Sequence, residues 1–192
     1  DPATEELLEN CSLSKEQMLK VAQLCLDAGV CCRVESMIDG VCRVSWLKSM
    51  EDEGLRMYVE PRKGDARFRP VDSMEQLADG EPFQCAMFGK EEQLTPLFEQ
   101  LKALDYLYAS MVEDSYDKGW LWLSCARKDS NKAEGVSKLR KLTGFERIVC
   151  FGDNHNDLPM FAVADEAYAV GNAVEAAKRA AAGVIGRNTE CG

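Results

Sequence analysis

Beyond residue 130 the chain alternates helix-period segments with short, almost wholly apolar ones, and no other feature limits its fold so tightly. Residues 131–143 have helical spacing, 147–151 a buried-strand run, 156–164 helical spacing again, 167–170 a strand, 173–182 a helix and 184–185 a last short strand. Strands that read as continuous apolar runs are covered on both faces, and parallel strands need a crossover between them, usually a helix. The pattern therefore predicts an α/β region built on a parallel, doubly wound sheet.

The earlier part reads differently. Ser14 can cap a helix over 14–28, Gln17 stands at the capping-box position, and Met18, Val21, Ala22, Cys25 and Leu26 share one face before Gly29 ends it. Two extended segments, 30–38 and 41–47, flank Asp39-Gly40, a strong hairpin signal. Residues 49–64 suggest a helix broken at Pro61, and 63–80 a loop with short helical pieces. A strand at 83–88, a helix at 90–104 and strands at 106–112 and 119–126 complete an α+β unit with antiparallel pairing. We place one domain at 1–126 and a second at 127–192.

Charge narrows the partners. Asp and Glu number 33 against 23 Lys and Arg, a formal charge of −10. That balance disfavours a surface for nucleic acid or anionic lipid, whereas a small anion can still be held by a few local cations or a metal. No apolar run reaches the roughly 20 residues that span a bilayer, and the first six residues lack a secretory pattern, so a cytoplasmic location is expected. The nine cysteines sit mostly in apolar stretches, which suits free buried thiols. No C-x-x-C occurs, and adjacent Cys31 and Cys32 would point to opposite faces of a strand, so structural zinc is not expected.

The richest chemistry follows the 148–151 apolar run. Gly152 is succeeded by Asp153, Asn154, His155, Asn156 and Asp157, two carboxylates and two carboxamides within five residues. Oxygen donors crowded at a strand end suit a hard cation such as Mg2+, with water and a phosphate completing the shell. The plain alternative is a helix cap in a solvated loop. His155, the single histidine, is read as a solvent-facing loop residue.

The G-D-x-x-N-D pattern, the following Leu-Pro-Met and the Asn131-Lys132-Ala133-Glu134-Gly135-Val136 stretch resemble the haloacid-dehalogenase (HAD) superfamily, in its Cof-type sugar-phosphatase branch. Tyr168-Ala169-Val170-Gly171-Asn172-Ala173 and the run from Gly183 to Gly192 resemble its C-terminal part. The resemblance implies the C-terminal half of a HAD-like (Rossmannoid) core preceded by a type-II cap. It implies Asp153, Asn156 and Asp157 as Mg2+ ligands and Lys132 as the catalytic fixed positive charge, facing Asp153 across the site. The implied reaction is hydrolysis of a small phosphorylated metabolite, such as a sugar phosphate, through an aspartyl-phosphate.

One part of that pattern is absent from the 192 residues. The family's nucleophile and its general acid/base are two aspartates in D-x-D-x-T/V, and no two aspartates here are two positions apart. The chain is thus expected to be a fragment with no turnover alone, self-associating unless a missing N-terminal core segment covers its open sheet edge. A nucleophile-less binding or regulatory module of the same fold is the alternative, and an unrelated acidic-loop, cation-binding protein a third. Arg62, Lys63 and Arg67, with Arg69, are the candidate substrate contacts, while Trp120 and Trp122 share a strand face suited to sheet packing.

Overall fold

The computed structural model describes residues 11–114 and 116–190, so residues 1–10, Ser115, Cys191 and Gly192 lie outside it. The chain forms two compact units, Asp1–Lys128 and Asp129–Gly192.

The first unit is built on a six-stranded sheet of order β3-β2-β1-β4-β6-β5. Its strands are β1 (Arg33–Ile38), β2 (Val41–Leu47), β3 (Phe68–Val71), β4 (Glu81–Gly89), β5 (Leu107–Glu113) and β6 (Leu121–Arg127). All pairings are antiparallel except β2 with β3. Asp39 and Gly40 both have positive φ, 50° and 76°, the backbone a tight two-residue hairpin needs, and they set Ile38 opposite Val41.

Helix α1 (Lys15–Asp27) opens with a full capping box: the Gln17 N–H donates to Ser14 Oγ at 3.1 Å and the Ser14 N–H to Gln17 Oε1 at 2.9 Å. Its buried Met18, Val21, Ala22 and Cys25 join Leu94, Leu97 and Leu101 of α4 (Glu91–Lys102) over one face of the sheet. Val34, Cys85, Met87, Leu123 and Cys125 supply that face by strand alternation. On the opposite face α2 (Glu53–Val59) sets Leu55 against Cys31 and Trp46. There Trp122 and Phe88 stack at 4.3 Å between ring centroids, and Phe88 and Trp120 at 5.0 Å.

The segment 63–80 departs from the expected loop with short helical pieces in one respect, the strand β3. It contains β3 and the short helix α3 (Met74–Leu77). Pro70 lies inside β3 and cannot donate to a ladder, which is tolerated because β3 is an edge strand with β2 as its one neighbour among the described residues.

The β5–β6 turn is organised by Asp114. Its Oδ1 accepts the N–H of Asp117 at 2.7 Å and of Tyr116 at 2.8 Å, and its Oδ2 accepts the Trp122 indole N–H at 2.6 Å. The bond from the Asp117 N–H, then those from Trp122 and Tyr116, hold its carboxyl below the usual range against a smaller opposing effect of burial. A depressed folded value means the stabilisation is present above the ordinary carboxylate range and disappears as pH falls through the folded value. Asp114→Ala is expected to cost about 1–2 kcal/mol at neutral pH, and thermal midpoints of variant and parent should converge on acidification.

The second unit carries a parallel sheet of order β7-β8-β9, with β7 (Val149–Gly152), β8 (Glu166–Ala169) and β9 (Gly183–Val184). Helices α5 (Lys132–Thr143), α6 (Leu158–Val163) and α7 (Glu175–Ala180) alternate with the strands. Phe161, Ala169 and Ala177 pack with Cys150 and Ala167 in its core. Among the described residues strand β7 is an edge, and Val149, Phe151, Leu139, Leu142 and Phe145 of this unit are exposed. Among the described residues no helix is long and apolar enough to cross a membrane.

Candidate active site

Strand β7 ends at Gly152, at the carboxyl edge of the parallel sheet, where open α/β folds bind ligands. The chain turns through Asp153 and Asn154 into a 3-10 turn, His155–Asp157, and then α6. That turn brings Asp157 back against the strand end. A Cβ on Gly152 would lie 2.6 Å from Asp157 Cβ and 2.7 Å from its Oδ2, so the glycine makes room for this carboxylate.

Asp157 is 1% exposed, and both its oxygens are engaged. Oδ2 accepts the backbone N–H groups of Asp153 at 2.8 Å and Asn154 at 3.0 Å. Oδ1 accepts from Lys132 Nζ. Burial pushes the Asp157 carboxyl up, but the Lys132 ammonium and the two N–H donors more than offset it, leaving the carboxyl below its usual range.

Lys132 is the first residue of α5, where a positive charge opposes the helix dipole. Asn131 caps this helix, its side-chain oxygen accepting the Glu134 N–H at 3.1 Å. The lysine was expected to face Asp153 and is instead bound to Asp157. The reason is geometric: the single 3-10 turn carries Asp157 inward while Asp153 stays outside, its backbone fixed by the Val174 N–H at 2.9 Å.

Asp153 and Asn156 are exposed, and neither side chain meets a partner among the described residues. Their carboxylate and carboxamide oxygens are hard donors open to solvent, a set that fits Mg2+ with its water shell. Asp157, grouped with them by resemblance, has its oxygens committed within the protein. His155 is exposed on the same turn. The signal for the Asp157 anchor was present in the spacing of Gly152 and Asp157, but composition does not distinguish an anchor from a ligand.

The basic residues of the first unit are satisfied locally. Lys63 pairs with Glu60, and Arg67 with Asp65 at 2.6 Å. Arg62 donates to the Tyr58 carbonyl at 2.8 Å and lies 4.4 Å over its ring, while Arg69 pairs with Asp79 at 2.6 Å.

The family model for haloacid dehalogenase-like hydrolases matches residues 1–192, and the chain belongs to that family. It is 39% identical over 75 residues to pyridoxal phosphate phosphatase YbhA of Escherichia coli, covering 36% of this chain and 28% of that protein. It is 36% identical over 75 residues to the 5-amino-6-(5-phospho-D-ribitylamino)uracil phosphatase YitU of Bacillus subtilis, covering 38% and 28%. The matches thus span 28% of the length of these two relatives. A haloacid dehalogenase-like hydrolase from Bacteroides thetaiotaomicron has the same fold, with a TM-score of 0.75 at 21% identity over 98% of this chain and 67% of that one.

Proposed function

We propose that the chain supplies the metal-binding and charge-stabilising half of a Mg2+-dependent phosphomonoester hydrolase acting on small phosphorylated metabolites, among which sugar phosphates are one class. The second unit is read as the C-terminal part of the catalytic core and the first as a type-II cap. The observation that carries this reading is the division of labour on one turn: Asp157 binds Lys132, while Asp153 and Asn156 keep open oxygens. The two curated relatives, both named as phosphatases of small phosphorylated compounds, support the substrate class.

In this proposal Asp153 and Asn156 would hold Mg2+, which when bound neutralises charge on a phosphoryl group. Lys132 supplies a fixed positive charge beside it, and Asp157 keeps that amine oriented without spending a proton. The aspartyl-phosphate step needs a D-x-D pair, which the 192 residues lack. The chain alone is therefore expected to leave p-nitrophenyl phosphate unhydrolysed with Mg2+ present. A polypeptide that also carries such a pair should turn over and lose activity with Asp153→Ala. Turnover by the 192-residue chain, abolished by Asp153→Ala, would overturn the division of roles; a longer polypeptide that binds phosphate without hydrolysing it would favour the nucleophile-less binding module.

The open edge of β7 with exposed Val149 and Phe151 supports a further part of the reading, that a preceding core segment is the partner of this edge. Light scattering of the isolated chain should then show mass rising with concentration, and Phe151→Lys should suppress the rise.

A further inference from the structure

Three cysteine sulfurs converge in the core of the first unit. Cys25 of α1, Cys32 just ahead of β1 and Cys85 of β4 have Sγ atoms all within 4.8 Å of one another. Their residues are 0%, 6% and 0% exposed. The sulfur-rich region extends further: Cys125 stands opposite Cys85 in the β4–β6 register, and Met87 Sδ lies 3.8 Å from Cys85 Sγ. Cysteine often fills a core as a small hydrophobe, but then its sulfur meets carbon. Here three sulfurs from three separate segments meet one another.

One neighbouring feature adds further soft donors. A small cavity lined by Leu26, Cys32, Met50, Met74 and Leu77 adjoins the trio, so two thioethers share its wall with one of the thiols.

We propose that Cys25, Cys32 and Cys85 form a three-thiolate site for monovalent copper. Thiolate and thioether ligands select soft cations such as Cu(I), whereas structural zinc takes four ligands in a tetrahedron. Cys125 lies outside the group whose sulfurs all approach one another. With metal–sulfur bonds of about 2.3 Å, trigonal sulfurs stand about 4 Å apart, so the trio needs only a small contraction. Each thiol that coordinates as thiolate releases its proton to solvent.

The test uses the whole reduced chain under anaerobic conditions, with Cu(I) supplied as its bicinchoninate complex. The protein should withdraw Cu(I) at one site per chain, and the bound metal should shield Cys25, Cys32 and Cys85 from alkylation in mild denaturant, mapped by mass spectrometry. Cys32→Ala should weaken withdrawal by at least about tenfold, and Cys42→Ala should leave it unchanged. No withdrawal overturns the proposal, as does shielding confined to Cys11, Cys42 or Cys150. Should Cys32→Ala fail to fold, the alkylation map of the parent chain decides alone.

Discussion

Asp157→Ala is expected to destabilise the metal-free second unit by about 2–4 kcal/mol, because it strands donors whose acceptor is almost fully buried. The Asp153 and Asn154 N–H groups lose their acceptor, and Lys132 loses its counter-ion at a helix N-terminus that already disfavours it. Lys132 is half exposed, so water recovers part of its loss, and the estimate stays below that of a fully buried pair. The measurement is hydrogen exchange at the Asp153 and Asn154 amides, with Cys150 thiol reactivity as a second reporter of this unit. Asp157→Asn should fall between parent and alanine variant, since one amide oxygen remains to accept. Unchanged protection in the alanine variant would show that the carboxylate does not organise the turn.

The same reasoning separates an anchor from a ligand. Removing a carboxylate that serves only a metal relieves repulsion when the metal is absent, so stability stays level or rises. Asp153, exposed and unbonded through its side chain, should behave that way in Asp153→Ala. Opposite stability responses from two aspartates four positions apart would trace their roles to burial, which no motif encodes. The residues of the loop were legible in sequence because the apolar run before Gly152 and the crowding of oxygen donors are local properties. The pairing of Lys132 with Asp157 depends on one 3-10 turn, and a shift of one residue in that turn would have favoured Asp153.

Legibility elsewhere followed the same division. Asp39-Gly40 and the Ser14–Gln17 box specify a hairpin and a helix start through hydrogen bonds spanning a few residues, and both are found where their spacing puts them. Strand β3 was hidden because Pro70 argues against a ladder, and it forms because an edge position leaves the missing N–H without consequence. The thiol trio was invisible for a different reason: Cys25, Cys32 and Cys85 share no short spacing and meet through packing of α1 on the sheet. Rules about metal sites built on local spacing cannot register such a group.

Gly54→Ala is the change expected to damage the first unit most for its size. Gly54 is buried on α2, and a Cβ there would lie 1.7 Å from the Phe88 carbonyl oxygen and 2.8 Å from its carbon. Both atoms are backbone of β4, held between β1 and β6, so the sheet cannot yield as a flexible side chain would. The helix must move instead, and α2 carries Leu55 into the cluster with Cys31 and Trp46 and brings Tyr58 against Arg33 and Phe68. Overpacking ordinarily costs about 1–3 kcal/mol, and a clash with immobile backbone belongs at or above the top of that range. Gly135→Ala provides the contrast: on α5 nothing stands within 4 Å of the added carbon, and helix propensity should stabilise the second unit by up to about 1 kcal/mol. Tryptophan emission reads the first unit, since Trp46, Trp120 and Trp122 all lie in it. A lowered urea midpoint for Gly54→Ala, with shifted emission even before unfolding, is the expected result. A variant with the parent's midpoint and spectrum would mean that α2 does not rest on the β4 backbone through this glycine.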